Sequence, residues 1–211
     1  MRRVAGVLAF TAIAAIICWL FPLFHVVTLK QADAEKAATV FNPTNFVDRF
    51  WNERLLKSLD RAVPAEKLVS EIKRDPTAAR KKYGRNFGIG DSYLYFLSGT
   101  GRVLSVTDDE IALAISEGAT QAEVSLQVGL VFGNAVRDAT GLLDVNNYPN
   151  SQDFNDISAE LNRRVETQVL PKLRDQAKVG ARIHFTGCAE VDDESSDLNP
   201  LKVIPVQAEI K

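Results

Sequence analysis

The chain opens on an apolar stretch and then changes its periodicity twice. From Val4 to Val27 there are 24 residues without a formal charge, apart from the one that His25 can carry, and Ala, Ile, Leu, Val and Phe dominate them. At about 1.5 Å of rise per residue, a helix of that length covers the roughly 30 Å of bilayer hydrocarbon. The pattern predicts a membrane span, with Trp19 and Phe21 to Phe24 at the far interface and Pro22 kinking or ending the helix. Residues 28 to 41 are rich in Ala, Lys, Asp and Glu and read as a polar extension of the span or a linker.

Two Asx-Pro pairs, Asn42-Pro43 and Asp75-Pro76, then set a capping side chain before a proline at the first helical position. Between them Val47, Trp51, Leu55 and Leu59 recur every four residues, with Phe46 and Phe50 alongside, and Pro64 opens a second helix through Leu68, Val69 and Ile72. A small helical subdomain over about residues 42 to 84 follows.

From Phe87 the pattern becomes that of glycine-punctuated strands: Ser92 to Ser98, Gly101 to Thr107 and Ile111 to Ser116, with turns at Gly99-Thr100-Gly101 and Thr107-Asp108-Asp109. The clearest strand runs from 122 to 132. There Val124, Leu126, Val128, Leu130 and Phe132 alternate with Glu123, Ser125, Gln127 and Gly129, which predicts one core face and one wet face. A helix starting at Asn150 or Ser151 keeps Phe154, Ile157, Leu161, Val165, Val169 and Leu173 on one stripe, with a late kink at Pro171 and an end at Gly180. Two strands close the chain, Ala181 to Val191 and Leu201 to Ile210, and Pro205 places the last at an edge or a bulge.

Strands, one long helix, then two strands is the order of a five-stranded Greek-key barrel of the oligonucleotide/oligosaccharide-binding (OB) type. The predicted class is α+β: a transmembrane anchor over residues 1–30, a linker and helical subdomain over 31–90, and an OB-like barrel domain over 91–211. No internal repeat is present.

Charge decides the topology. Arg2 and Arg3 precede the apolar run and Lys30 is the first basic residue after it, so the positive-inside bias favours a cytoplasmic N-terminus. The expectation is a single pass of the inner membrane, with the C-terminal domain in the periplasm. Two processing routes lead to the same compartment: cleavage after Ala14 or Ala15, which leaves a greasy new N-terminus, and acylation of Cys18, where Ile17 stands in place of the small residue such sites want. Without Arg2 and Arg3, 23 basic residues face 27 acidic ones, a net of −4. That balance does not suit a nucleic-acid binder, which needs a clustered basic face for phosphates. Two cysteines, Cys18 and Cys188, build no disulfide framework in the exported part.

The stretch from Gly133 to Glu166, with its Gly-Leu-Leu-Asp-Val-Asn-Asn-Tyr-Pro-Asn motif, resembles a bacterial family of predicted periplasmic lipoproteins of unknown function. Phe185-Thr186-Gly187-Cys188-Ala189-Glu190-Val191 and the closing Val203-Ile204-Pro205-Val206 share in the resemblance. Members of that family tend to be encoded beside sugar ATP-binding-cassette transporters. The resemblance implies an exported location and a tie to carbohydrate uptake, and supplies no catalytic residues.

Read on its own, the same segment offers directional hydrogen bonds to hydroxyl groups from Asn134, Arg137, Asp138, Asp144, Asn147, Asn150 and Asp153. The plainer reading is structural, because Asp and Asn cap helices and hold turns, and Arg137 beside Asp138 can lock the loop by itself. Asp153, Asp156 and Glu160 share one side of the helix, where the helix dipole favours carboxylates whether or not they do acid/base work. Asp144-Val145-Asn146-Asn147 lacks the glycine and glutamate of an EF-hand loop, and no Gly-Lys-Ser/Thr follows Gly84, Gly88 and Gly90. His25 and His184 have no partner at metal-ligand spacing, and Cys188 reads as a packed thiol. Tyr93, Tyr95 and Phe96 offer stacking surfaces to a ring-shaped ligand.

These patterns imply no metal and no cofactor and leave the oligomeric state open. Three functions are expected in descending order. The first is a non-enzymatic, membrane-anchored accessory protein docking on a partner such as a sugar-transporter component. The second is a small-ligand or glycan-binding module using the Asn/Asp-rich loop, and the third a hydrolase using Asp153, Asp156 or Glu160.

Overall fold

Asn42 accepts a hydrogen bond from the Asn45 amide at 2.9 Å, and Pro43 takes the first position of helix α1 (Pro43–Phe50), as the Asx-Pro pair predicts. The computed structural model describes residues 41–86, 92–148 and 150–211; the expected membrane span, most of the linker, Cys18, His25, Gly88 and Gly90 lie outside the described residues. Among the described residues no helix is long and apolar enough to cross a membrane. Residues Asn42–Lys211 form one compact unit.

After α1 the helix widens over Trp51–Leu55 and tightens over Leu56–Arg61. That change of pitch shifts the stripe: Val47, Phe50, Trp51 and Leu55 are buried, but Ser58 takes the buried place that the four-residue spacing assigns to Leu59. A two-residue strand β1 (Val63–Pro64) leads into α2 (Ala65–Arg74), which buries Ala65, Leu68, Val69 and Ile72. Asp75 caps α3 (Pro76–Tyr83) by accepting from the Ala78 amide at 2.9 Å.

The barrel strands are β2 (Tyr93–Val106), β3 (Glu110–Ala114), β4 (Val124–Gln127), β5 (Arg182–Val191) and β6 (Leu201–Ile210). They run in the order β2-β3-β4-β6-β5, and β5 pairs back onto β2, so the sheet closes; β1 adds to β2 from outside. All barrel neighbours are antiparallel except β4 and β6. Between β4 and β5 come α4 (Ala135–Asp138) and a long helix made of α5 (Ser151–Arg164), a widened turn over Val165–Val169, and α6 (Leu170–Gln176). This is the five-stranded architecture that the element order predicts, with the long helix in the expected place.

Three local expectations are corrected. First, Gly99-Thr100-Gly101 is not a turn but the middle of one 14-residue strand. A side chain on Gly99 would meet the Ala65 Cβ at 2.7 Å, and one on Gly101 would meet Leu113 and Ile115 at 2.8 Å. These glycines let α2 and β3 approach the strand closely, which is the other use of glycine inside a strand pattern.

Second, the strand at 122–132 pairs only over Val124–Gln127. The Val128 and Gly129 amides turn to the Asp109 carbonyl at 2.7 and 3.1 Å, and Arg174 takes the carbonyls of the same two residues. The alternation then loses phase: Val131 is buried, while Leu130 and Phe132 stand 73% and 74% exposed. Third, the long helix ends at Gln176 rather than at Gly180, which sits at φ +88° in the following turn. Pro171 has no N–H to donate and its ring crowds the preceding turn, which accounts for the widened Val165–Val169 turn just before it.

Pro205 falls at a bulge, where the register of β6 against β5 slips between the Thr186 and Gly187 pairings. β6 has by then parted from β4, whose last pair is Leu126 with Val203, so the missing N–H costs the ladder nothing on that side.

The core is built from Leu97, Val103, Ile111, Leu113, Leu126, Ile183, Phe185 and Val203 on the strands and Ile157, Leu161, Val165, Leu170 and Leu173 on the long helix, all of them buried. Each such side chain contributes about 1.5–3 kcal/mol on burial. Two polar joints tie the helices to this core. Arg164 of α5 donates to Asp48 of α1 at 2.7 Å. Glu123, 5% exposed, accepts from Lys73 of α2, from the Ile115 and Ser116 amides at 2.9 and 2.7 Å, and from the Ser116 hydroxyl at 2.9 Å. Burial alone pushes its carboxyl up, but those four donors outweigh it and hold the group down at about 2.

Candidate functional site

The Asn/Asp-rich segment folds largely onto itself. Arg137 and Asp138, neighbours on α4, are both buried and form a forked ion pair, with Nε and a terminal nitrogen each 2.7 Å from a carboxylate oxygen. The guanidinium also donates to the Phe154 carbonyl at 3.2 Å and lies 3.7 Å from the centre of the Phe154 ring. Such a pair persists in the interior only because its geometry and hydrogen bonds offset desolvation. Asp144 holds the short turn Val145–Asn147 by accepting from the Asn146 amide and side chain at 2.9 and 2.8 Å. Asn150 caps α5 through the Asp153 amide at 2.8 Å and donates to the Asp153 carboxylate at 3.0 Å. Asn134 accepts from the Ser158 hydroxyl at 2.8 Å.

Of the seven residues singled out from sequence, Arg137 and Asp144 border one cleft of about 580 Å³, together with Asn86, Val145, Asn146, Ser151, Phe154 and Asn155. Asn147 points its backbone N–H at Asp144 and is exposed, and its neighbour Asn146 is the one on the cleft. Asn134, Asp138, Asn150 and Asp153 spend hydrogen bonds within the fold. The row of helix carboxylates separates in the same way: Asp156 accepts from Gln152 at 2.7 Å and Glu160 holds Arg163 through two bonds at 2.7 and 2.6 Å. Among the described residues no group of three His, Cys, Asp or Glu side chains is placed to hold a metal ion.

The stacking surfaces expected at Tyr95 and Phe96 are corrected, since both are buried, at 3% and 8% exposure. Burial pushes the Tyr95 phenol up to about 12, with the Glu194 carboxylate adding to it. Tyr93 is half-buried and its ring is covered by the Arg80 guanidinium at 3.6 Å. Cys188 is fully buried, which raises its thiol pKa and makes it the packed residue expected.

Sequence reasoning missed Leu130 and Phe132, because strict alternation assigned them to the core. With Asp109, Glu110, Gln127 and Gly129 they line a shallow groove of about 310 Å³ beside β3 and β4. In OB barrels the second and third strands and the loop between the first two form the usual binding surface. The backbone beneath is firmly held: the Val131 amide donates to Glu166 at 2.7 Å, and the Gly133 carbonyl accepts from Asn162 at 3.0 Å and Ser158 at 3.3 Å. Gly129 and Gly133, two glycines four apart, were the one signal in the sequence that the strand ends there; Gly133 adopts φ +81°, which a side chain disfavours.

Comparison with solved structures gives an OB-fold protein from Thermotoga maritima, with a TM-score of 0.74 and 22% identity, covering 82% of this chain and all of that one. At that identity the likeness carries the fold, and it agrees with the closed five-stranded order. No curated protein matches the chain. A family model described as "Predicted periplasmic lipoprotein (DUF2291)" matches residues 14–209, nearly the whole sequence, and the chain belongs to that family.

Proposed function

We propose that this chain is a non-enzymatic accessory protein, held at the outer face of the inner membrane, that docks on a protein partner through the Leu130–Phe132 segment. One observation carries the docking role: two large apolar side chains stand about three-quarters exposed on a backbone clamped from four side chains of the long helix. A rigid apolar projection loses little conformational freedom on binding and buries about 1.5–3 kcal/mol per side chain, which are the properties of an interface anchor. The acidic rim of Asp109 and Glu110 favours a partner with basic residues around an apolar pocket.

The tether rests on the apolar run at Val4–Val27 and on the family's description as a periplasmic lipoprotein. The partner class, a component of a sugar importer, rests on the tie to carbohydrate uptake that the family resemblance implies. Crosslinking of the full chain in intact membranes, followed by gentle solubilisation and capture, is expected to recover a transporter component. Leu130→Ser with Phe132→Ser is expected to abolish that capture without lowering the melting temperature. Equal capture by the double variant would exclude this surface, and no reproducible partner would exclude the docking role.

A second reading, a small-ligand or glycan site in the 580 Å³ cleft, is favoured by Asp144, Asn146, Ser151 and Asn155 bordering one opening. A ligand there raises the melting temperature by mass action, so a flat response to a broad sugar panel excludes it.

A further inference from the structure

β2 and β5 lie side by side with Ser98 opposite Thr186, Thr100 opposite His184 and Arg102 opposite Arg182. Residues directly opposite each other project to the same face, so these three pairs form one polar ladder. The first two rungs close on themselves: the Thr186 hydroxyl donates to the Ser98 hydroxyl at 2.9 Å, and the Thr100 hydroxyl lies 3.0 Å from His184 Nδ1. The third cannot close. A guanidinium has donors and no acceptor, and like charges directly opposite weaken a ladder. Arg102 gives one donor to the Ala119 carbonyl at 2.9 Å. Among the described residues neither arginine makes an ion pair.

Both arginines border a cavity of about 610 Å³. It opens along β2 where the strand has left β1, whose last pair is Pro64 with Ser98, and first meets β3, at the Arg102–Ala114 pair. Ser98, Thr100 and Ser116 also line it, and Ala65 and Glu66 bring in the first turn of α2, whose cap position is Pro64 and carries no side-chain cap. The free amides of a first helical turn and the positive end of its dipole favour an anion. Glu66 and Glu117 border the cavity too, so the lining balances two guanidinia with two carboxylates. A bare anion would meet repulsion from the carboxylates, whereas a ligand that also carries hydroxyls can donate to them.

We propose that this cavity binds a small hydroxylated ligand bearing one oxyanion, with Arg102 and Arg182 gripping its carboxylate or phosphate group and Glu66 and Glu117 accepting from its hydroxyls. Paired arginines provide the fork geometry that either oxyanion matches. This site is separate from the docking segment and from the Asn/Asp cleft, and it stands whether or not either of those readings holds.

Titration calorimetry of the full chain in detergent micelles, with galacturonate, glucose 6-phosphate and glucose as the three probes, tests it. Saturable one-to-one binding of at least one of the two acids is expected, with glucose tenfold or more weaker, and which acid binds identifies the oxyanion. Arg182→Ala is expected to weaken binding at least tenfold, Arg182→Lys to restore part of it, and Glu117→Gln to leave a measurable but weaker complex. Circular dichroism melts of each variant separate loss of binding from loss of fold, and Leu130→Ser with Phe132→Ser should bind the acid unchanged. Binding of neither acid, binding of glucose as tight as that of the acids, or unaltered affinity in folded Arg182→Ala and Arg102→Ala would overturn the proposal.

Discussion

Asn162 on α5 donates its side-chain amide to the Gly133 carbonyl at 3.0 Å, and with it the long helix takes hold of the loop that leaves β4. Ser158 and Glu166, one turn to either side, grip the same loop at Gly133, Asn134 and Val131. Residues spaced by four share a helix face, so a single polar stripe fixes the segment that carries Leu130 and Phe132.

Asn162→Ala removes one of those grips and leaves the Gly133 carbonyl with the longer Ser158 bond. Loss of about 0.5–1.5 kcal/mol is expected in urea unfolding, the usual net contribution of one hydrogen bond where the acceptor keeps another donor. Amide exchange over residues 129–134 should quicken in the same variant, and unchanged exchange would show that the loop is held by other means.

Glu123 titrates at about 2 when folded against an ordinary 4.5, so the folded state binds its proton less readily than the unfolded one. Its contribution is therefore complete above about 4.5 and is lost as pH falls toward 2. The difference corresponds to something on the order of 3 kcal/mol at neutral pH. Glu123→Gln should lower stability at pH 7 and flatten the stability profile between pH 4.5 and 2; parallel profiles for the two proteins would count against this account.

Glu190 shows the opposite sign. Half-burial raises its carboxyl above the ordinary value, Asp192 and Asp138 add repulsion, and Arg137 with the Asn134 amide offset only part of this. Ionised Glu190 thus costs stability above its folded pKa and costs nothing below 4.5. Glu190→Gln is expected to raise the melting temperature at pH 7, with the gain fading as pH falls toward 4.5. A loss at neutral pH would mean that the carboxylate is needed for its charge.

The Arg137–Asp138 pair is buried and fully engaged, so removing one member strands the other. Arg137→Ala is expected to cost roughly 3–5 kcal/mol, while replacing both by apolar residues of similar size should recover most of it. Denaturant titration of the two single variants and the double variant gives the comparison, and a single variant losing under about 1 kcal/mol would show that water reaches the pair.

The caps at Asn42, Asp75 and Asn150 and the stripe from Phe154 to Val165 were legible because each depends on residues within one helical turn, whereas the widened turn over Val165–Val169 shifts the phase and buries Leu170 where the spacing assigns Val169. Leu130 and Phe132 were misplaced because alternation states that two faces differ but not where pairing stops. That is settled by Arg174 and Glu166, which lie far along the chain and take the backbone groups a continuing strand would have used. Gly99 and Gly101 were misread for a related reason: a glycine marks either a turn or a close approach, and only the positions of Ala65, Leu113 and Ile115 distinguish the two.

The sequence by itself determined the apolar opening run, the order of strands and helix, and the helix starts, all of which follow from composition and short-range spacing, and its motifs carried the likeness to a family of predicted periplasmic lipoproteins. Only the tertiary structure decided which polar side chains are spent within the fold. Arg137 is consumed by its neighbour and by Phe154, whereas Arg102 and Arg182 are set opposite each other by the β2–β5 register with no ion-pair partner for either among the described residues. Spacing along a chain says nothing about that difference, because a hydrogen bond is satisfied or left open by whatever the folded backbone places within 3 Å of it.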